Sequence, residues 1–377
     1  MTLRKTESLD SCGNRNEIKK GQRGALLPEA DYFDHFFTHE REKEVVWPLL
    51  SRVLFQPLEE FLARPSKIIR AALVHAGYDA AFADQHTTTY RYPAPPQADL
   101  QTCSHIIELL HSGSLIIDDL QDESLTRRGK ECFHRLYGSA LALTAGNWLY
   151  VWPLKVLGQL DVSEEQIQRM QCCYHHALEA AHYGQALDVS VAVDTLQQDE
   201  VSALCQWVTR YKTGTITVLA LELGAILGGA DDDLLQSLRA FGMEFGTLLQ
   251  NYDDLANILG HQESAKRFED FIHKRPSWVW SMIADHYTVE EFQEFTRAVD
   301  ALPQDQALLH AWLERYQFVE LAAQTMEHRL SQLKQMVIHE IATDGTHDRN
   351  TKKVLIELSE RLSHVYTKVL EEHRRHR

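Results

Sequence analysis

The chain has 377 residues and a mass of 43.3 kDa, and 44% of its residues are hydrophobic, so it can bury a large core. Its formal net charge of -16 argues against a broad basic surface of the kind that follows a nucleic-acid backbone. These totals favour a soluble globular protein that does not bind nucleic acid.

The first 28 residues are polar and charged, and they predict a mobile tail outside the fold. They lack the apolar core of a signal peptide, and no later stretch reaches about 20 uncharged apolar residues, so no transmembrane segment is expected. The six cysteines include no CxxC pair, which fits a reducing cytosol better than a disulfide framework. We therefore expect a cytoplasmic protein in which residues 29–377 form one domain.

Helical signals dominate the rest of the chain. Seven of the ten prolines lie at or before Pro96, which leaves room for long uninterrupted helices after it. Residues 91–97 (RYPAPPQ) predict a loop, residues 106–117 have helical apolar spacing, 299–306 predict a second break, and 318–337 predict a C-terminal helix. No sustained alternation of apolar and polar residues indicates a sheet. The predicted fold class is all-α.

The strongest local signal is an aspartate motif in IIDDLQDESLTRRG. Asp118 and Asp122 lie about 40° apart on a helix, so their carboxylates point into the same space, and Asp119 lies within the same one and a half turns. An isolated motif of this kind is more often a solvated acidic helix face.

A second acidic motif, in LLQNYDDLAN, nearly duplicates the first. Asp253 and Asp254 follow an apolar approach, and Asn257 follows them at helical spacing. Two helices that present carboxylates toward a common cavity would bind hard divalent cations, and magnesium prefers carboxylate, phosphate and water oxygens. The pair of motifs therefore favours a magnesium site for a diphosphate over two unrelated acidic surfaces.

Cationic and hydroxyl side chains surround the same motifs, and they suit phosphate oxygens, which arginine grips with two nitrogens and lysine with one charge. They are Arg127, Arg128, Lys212, Thr213, Lys266 and Lys274. Taken singly, each of these cations is more often a surface ion-pair residue.

These residues, in this order, resemble the trans-prenyl diphosphate synthases over about residues 60–280. The stretches LLHSGSLIIDDLQDESLTRRG, YKTG, QNYDDLAN and KRFEDF resemble most the eukaryote-type geranylgeranyl diphosphate synthases, whose second motif ends in asparagine, as at Asn257. The resemblance implies an isoprenoid synthase-type helical bundle with a central apolar tunnel. It also implies a homodimeric prenyltransferase that condenses an allylic diphosphate with isopentenyl diphosphate.

The resemblance also implies a role for each matching residue. Three magnesium ions would be bound by Asp118, Asp119, Asp122 and Asp253, which with Lys212 form the expected catalytic set. The allylic diphosphate would contact Arg127, Lys212, Thr213, Gln250, Lys266 and Lys274. Isopentenyl diphosphate would contact Lys67, Arg70, His111 and Arg128. Gln185 and Asp188 match an inward polar pair of the family, although a buried structural hydrogen bond explains them equally well.

The length of the product is expected to depend on the pocket floor one turn before Asp118. The small residues Gly113 and Ser114 stand where bulky aromatics in the family stop growth early. They favour a product longer than farnesyl, with geranylgeranyl diphosphate as the prediction, because a growing apolar tail needs a slot of matching depth.

Two places depart from the family pattern. Pro65 and Ser66 replace the usual Gly-Gly before Lys67, and the proline that usually follows Arg70 is replaced by Ala71. The interval from Lys266 to Lys274 is about two residues short, which leaves Arg275 as a possible substitute for Lys274.

The departures leave a rival enzyme, a terpene synthase that ionises a prenyl diphosphate without condensation. A noncatalytic partner subunit is a further alternative, although such a subunit would be expected to have lost a carboxylate or Arg127. Zinc is disfavoured, because Cys173, His175, His176 and His182 have a spacing that matches no common zinc site.

Overall fold

The computed structural model describes residues 27–65, 69–82, 97–259, 267–339 and 348–376. Apart from their last residues, the predicted tail at 1–28 and the predicted loop at 91–97 lie outside the described residues. Ser66, Lys67 and Lys266 also lie outside them.

Almost all described residues are helical, which confirms the all-α prediction. The α-helices of the described residues are α1 (Glu40–Leu50), α2 (Gln56–Leu62), α3 (Ile69–Phe82), α4 (Gln97–Gln121), α5 (Phe133–Tyr137), α6 (Ser139–Leu157), α7 (Glu164–Ser190), α8 (Gln198–Thr209), α9 (Thr215–Leu227), α10 (Asp232–Leu259), α11 (Glu269–Ile272), α12 (Trp278–His286), α13 (Val289–Asp300), α14 (Gln306–Arg315), α15 (Phe318–His339) and α16 (Asp348–His376). Ala30–His35 and Val193–Thr195 are short 3₁₀ helices, and Ser51–Phe55 and Arg210–Gly214 are π-helical turns.

Two short strands, β1 (Thr126–Arg127) and β2 (Lys130–Glu131), form an antiparallel hairpin, which differs from the expectation of no sheet. Each strand has two residues, too few for an alternating pattern to show in the sequence. The chain reverses at Arg128 and Gly129, which have φ angles of 56° and 74°. Positive φ at both positions is the geometry of a two-residue hairpin loop.

The chain divides into two compact units. Unit 1 comprises Met1–Lys67 and Ser112–Leu149, and unit 2 comprises Ile68–His111 and Tyr150–Arg377. The divisions between the units therefore fall within α4 and α6. The first aspartate motif belongs to unit 1 and the second belongs to unit 2.

Helix α9 lies in the core of unit 2. Every residue from Leu219 to Leu227 is buried, as expected for a helix that is apolar on all sides. Helices α3, α7 and α10 pack against it. It has 13 residues, and no helix of the described ranges is both long and apolar enough to cross a bilayer.

Glycines bring α3 and α9 into backbone contact. A Cβ atom at Gly77 would lie 2.1 Å from the carbonyl oxygen of Leu221, and one at Gly224 would lie 1.8 Å from that of Val74. Both distances are far below any real contact of a Cβ atom, so neither position can hold a side chain unless the helices separate.

Gly224→Ala is therefore expected to lower the free energy of unfolding by about 3 kcal/mol, the upper end for an overpacked core, because the obstacle is backbone on both sides. Denaturant unfolding would measure the loss. Gly158→Ala is the matched control, because its nearest neighbour would be 3.5 Å away. Equal stability of the two variants would contradict the close packing of α3 and α9.

Candidate active site

The first aspartate motif lies at the C-terminal end of α4, in unit 1. Asp119 is fully buried, and its carboxylate accepts hydrogen bonds from Arg127 Nε at 2.8 and 3.0 Å and from the NH2 nitrogen. Asp118 is about a quarter exposed, and one of its oxygens lies 3.9 Å from the same guanidinium. Burial alone would lower the pKa of Arg127, but the hydrogen bonds and charge of Asp119 and the charge of Asp118 raise it above its ordinary value. Arg127 is therefore a fixed cation beside the motif.

The hairpin at 126–131, which we call the arginine hairpin, supplies both predicted phosphate-binding arginines of unit 1. Arg127 extends from β1, and Arg128 stands in the turn with its guanidinium 5.9 Å from the centre of the Phe61 ring. In the same unit, Gly113 is buried and Ser114 is half-buried, one turn before the motif.

The second motif lies near the end of α10, in unit 2, where adjacent residues have different surroundings. Asp254 is buried and accepts hydrogen bonds from the backbone N–H of Trp278 at 2.7 Å and from Gln250 Nε2 at 2.8 Å. Burial raises the pKa of Asp254 to about 7, although these bonds act in the opposite direction. Asn257 accepts a hydrogen bond from the backbone N–H of Phe268 at 3.0 Å. Asp254 and Asn257 thus hold the following segment on α10, whereas Asp253 is half-buried.

Lys212 and Thr213 lie in the π-helical turn Arg210–Gly214, beside the second motif. Lys212 Nζ donates to Asp188 Oδ2 at 2.6 Å, and Thr213 Oγ1 donates to Gln250 Oε1 at 2.8 Å. Because Gln250 also bonds Asp254, Thr213 is linked to α10, whereas Lys212 is linked to α7 through Asp188. Single π-helical turns inside helices occur frequently at functional sites.

Acidic groups concentrate around Lys212. Burial, followed by the charges of Asp254 and Asp188, raises the pKa of Asp270 well above its ordinary value, and the charge of Lys212 only partly offsets this. Carboxylates that interact in this way favour either protons or additional cations. The surroundings of Lys212 are therefore acidic.

Two adjacent cations follow α11, and the structure separates them. Lys274 pairs with Asp300, and its Nζ also lies 3.7 Å from Asp194. The NH1 nitrogen of Arg275 donates to the backbone carbonyl of Asp188 at 2.9 Å. Arg275 therefore contacts Asp188, the residue that also bonds Lys212. Lys274 is directed to Asp300 and Asp194 instead.

Arg70, on α3, is a cation that forms no close ion pair in the described part of unit 2. Its guanidinium forms no ion pair with the residues described, and its Nε is buried with no hydrogen-bond partner. Burial lowers the pKa of Arg70, although the charges of Glu108 and Asp253 act in the opposite direction. His111 is half-buried on α4, one turn after Glu108.

Sequence reasoning did not single out Glu108, nor the hydrogen bond by which Asp254 accepts the backbone N–H of Trp278 at the start of α12. Glu108 is only 3% exposed, and its Oε1 has no hydrogen-bond partner in the described residues. The available signal for Glu108 was its position one helical turn before His111. For Asp254 there was no signal, because its partner Trp278 lies 24 residues away.

Comparison with known proteins gives consistent results. The family model described as "Polyprenyl synthetase" matches residues 51–315, well over half of the chain. A terpene synthase of Matsumurasca onukii is 32% identical over 55% of this chain and 61% of its own length. Geranylgeranyl pyrophosphate synthase 2 of Zymoseptoria tritici is 29% identical over 58% of this chain and 60% of its own length. The chain thus spans about three fifths of these curated relatives.

Among solved structures, the chain is similar to geranylgeranyl pyrophosphate synthase from Corynebacterium glutamicum, described as complexed with isoprenyl diphosphate and magnesium. The TM-score is 0.68 at 19% identity, covering 91% of this chain and all of the other. At this identity the likeness establishes the all-α fold.

Proposed function

The chain belongs to the polyprenyl synthetase family, and from that premise we propose that it condenses an allylic diphosphate with isopentenyl diphosphate, giving geranylgeranyl diphosphate. The observation that carries the proposal is Arg70, whose Nε is buried without a hydrogen-bond partner in the described residues. An unsatisfied buried donor is costly, and an anionic ligand would remove that cost. The predicted role of Arg70 in binding isopentenyl diphosphate meets this requirement.

The donor chemistry of both motifs fits magnesium. Asp118, Asp122 and Asp253 would supply hard carboxylate oxygens, whereas Asp119 is engaged by Arg127 and is better suited to anchor that arginine. The described residues contain no group of three or more ligands that could hold a metal ion by themselves. Magnesium is usually bound by one or two carboxylates together with substrate phosphates.

Cations of the chain would stabilise the departing diphosphate. When bound, magnesium supplies further neutralisation of the negative charge on that leaving group. Arg127 and Lys212 are held by Asp119 and Asp188, so they can donate to phosphate oxygens with little rearrangement. Thr213, which follows Lys212 in the π-helical turn, donates to Gln250, and the predicted role of each in binding the allylic diphosphate becomes part of the proposal.

The remaining assignments depend on the family resemblance. Lys67, His111 and Arg128 would bind isopentenyl diphosphate with Arg70, and Lys266 would bind the allylic diphosphate. Three magnesium ions are proposed. Gly113 and Ser114, as small residues, would leave room for a tail longer than farnesyl.

We also propose a homodimer and a cytoplasmic location. Val151 and Tyr183, both in unit 2, are 64% and 56% exposed, and large apolar side chains of this kind are common at protein interfaces. Light scattering coupled to size-exclusion chromatography would measure the mass of the particle, and a 43 kDa species at micromolar concentration would contradict the dimer.

A terpene synthase is the second candidate, because the Matsumurasca onukii relative has that description. The deciding experiment incubates the protein with magnesium, farnesyl diphosphate and labelled isopentenyl diphosphate, and then separates diphosphates from volatile hydrocarbons. Labelled geranylgeranyl diphosphate supports the proposal. Unlabelled terpene with released diphosphate identifies the second candidate, and no reaction with several primers favours a noncatalytic subunit.

The cations after α11 give a direct test of the site. We propose Arg275, rather than Lys274, as the cation of this segment that binds diphosphate, because Lys274 is engaged by Asp300. Arg275→Gln should lower kcat/KM at least tenfold, whereas Lys274→Gln should stay within about threefold of the unsubstituted protein. Steady-state kinetics with the allylic substrate varied would measure both, and the opposite order would contradict this assignment.

A further inference from the structure

Arg64 is a buried arginine just beyond the end of α2, in unit 1. Its side chain is fully inaccessible, and its guanidinium lies 5.0 Å from the centre of the Phe61 ring. The charged partner is Glu60, whose Oε2 accepts a hydrogen bond from the NH2 nitrogen at 3.2 Å. Glu60 also accepts hydrogen bonds from Lys130 and Tyr137, at 2.8 and 3.2 Å, so its charge is shared.

The second terminal nitrogen of the guanidinium, NH1, binds backbone carbonyls rather than side chains. NH1 donates to the carbonyl oxygen of Glu131 at 2.8 Å and to that of Arg127 at 3.4 Å. One carbonyl belongs to each strand of the arginine hairpin. Arg64 therefore ties both strands to α2 from a fully buried position.

We propose that Arg64 is a positioning residue that fixes the arginine hairpin, and through it the places of Arg127 and Arg128. The inference rests on the proposed function, in which Arg127 binds the allylic diphosphate and Arg128 binds isopentenyl diphosphate. The Arg127 side chain reaches the buried Asp119 from the same backbone whose carbonyl Arg64 holds. A shift of the hairpin would move both phosphate-binding arginines together.

The hairpin needs such an anchor. It has only two paired residues in each strand, and isolated two-stranded hairpins are marginally stable at best. Arg128 has a φ angle of 56°, which a residue with a side chain adopts at an energetic cost and keeps only where its surroundings impose it. The planar guanidinium has five donors in a fixed arrangement, so one side chain can bind two carbonyls and a carboxylate.

Arg64→Met tests the inference through KM rather than through activity alone. Loss of folded protein would lower the apparent kcat and leave KM unchanged, because the molecules that remain are normal. A displaced hairpin should raise KM for isopentenyl diphosphate about tenfold and lower kcat by a similar factor, as small misplacements of binding groups do. An unchanged KM in Arg64→Met would overturn the inference.

Two further variants keep the test valid if Arg64→Met fails to fold. They also show whether the carbonyl contacts or the ion pair of Arg64 position the hairpin. Arg64→Lys retains the charge and can still pair with Glu60, but its single ammonium group cannot hold both strands, so KM should rise in the same direction. Glu60→Gln leaves the carbonyl contacts in place and should keep KM within about twofold of the unsubstituted protein. Equal effects of Glu60→Gln and Arg64→Lys would show that the ion pair, and not the strand contacts, sets the hairpin.

Calorimetry that measures the affinity for inorganic diphosphate in the presence of magnesium separates this inference from the proposed function. If the unsubstituted protein neither binds diphosphate nor forms product, the proposed function fails and the positioning role of Arg64 fails with it. If the unsubstituted protein is active and Arg64→Lys has the same KM and the same diphosphate affinity, only the positioning role is wrong.

Discussion

Asp253→Asn is expected to lower kcat by at least about 10²–10³-fold, the loss typical of removing one group that stabilises charge in the transition state. The exchange keeps the shape of the side chain and removes the negative charge proposed to bind magnesium. Because Asp253 is only half-buried, the free energy of unfolding should change little. Asp118→Asn, in unit 1, should have the same result. Steady-state kinetics and denaturant unfolding would measure both quantities.

Asp233→Asn is the matched control for this prediction. Asp233 lies in the first turn of the same helix and is exposed, so its charge should matter for neither turnover nor folding. Full activity of Asp253→Asn would remove the second motif from the proposed site. Loss of activity together with loss of helical content would show a structural role instead.

Arg127→Gln is expected to lower both stability and activity. It would leave the Asp119 carboxylate buried without its cation, which typically costs about 3–5 kcal/mol of unfolding free energy. It would also remove a donor proposed to stabilise the departing diphosphate, so kcat should fall about 10²-fold or more. The two losses have separate causes, and chemical denaturation and kinetics measure them independently.

A double variant separates those causes. Adding Asp119→Asn to Arg127→Gln removes the uncompensated charge, so most of the lost stability should return while activity stays low. Arg135→Gln is the control in the same unit. Among the described residues Arg135 has one ion pair, a solvent-exposed one with Glu131 at 3.5 Å, so this variant should lose less than about 1 kcal/mol of unfolding free energy. A double variant that regained turnover would mean that Arg127 only neutralises Asp119.

Much of the fold was predictable because its signals are local. The distribution of prolines and the helical spacing of apolar residues indicated an all-α chain, and the later helix predicted at 318–337 corresponds to α15 (Phe318–His339). The arginine hairpin was not predicted, because two-residue strands leave no periodic pattern. The contact of α3 with α9 was also not predicted, since nothing in either segment shows that Gly77 and Gly224 face a partner helix.

The sequence by itself determined which chemical groups are present and on which helices: two aspartate motifs, the cations that follow them, and small residues before the first motif. This was possible because spacing along a helix fixes which neighbours share a face. The family resemblance then supplied their expected roles.

Only the tertiary structure decided between neighbours with the same chemistry. Asp254 binds the N–H of Trp278 and Arg275 lies against Asp188, while Asp253 and Lys274 do neither. Arg64 meets the hairpin 63 to 67 residues further along the chain. Asp253 and Asp254 are consecutive on a helix and point about 100° apart, and Lys274 and Arg275 stand in the turn after α11, so folding gives each a different environment. Partners distant in sequence leave no trace in local spacing.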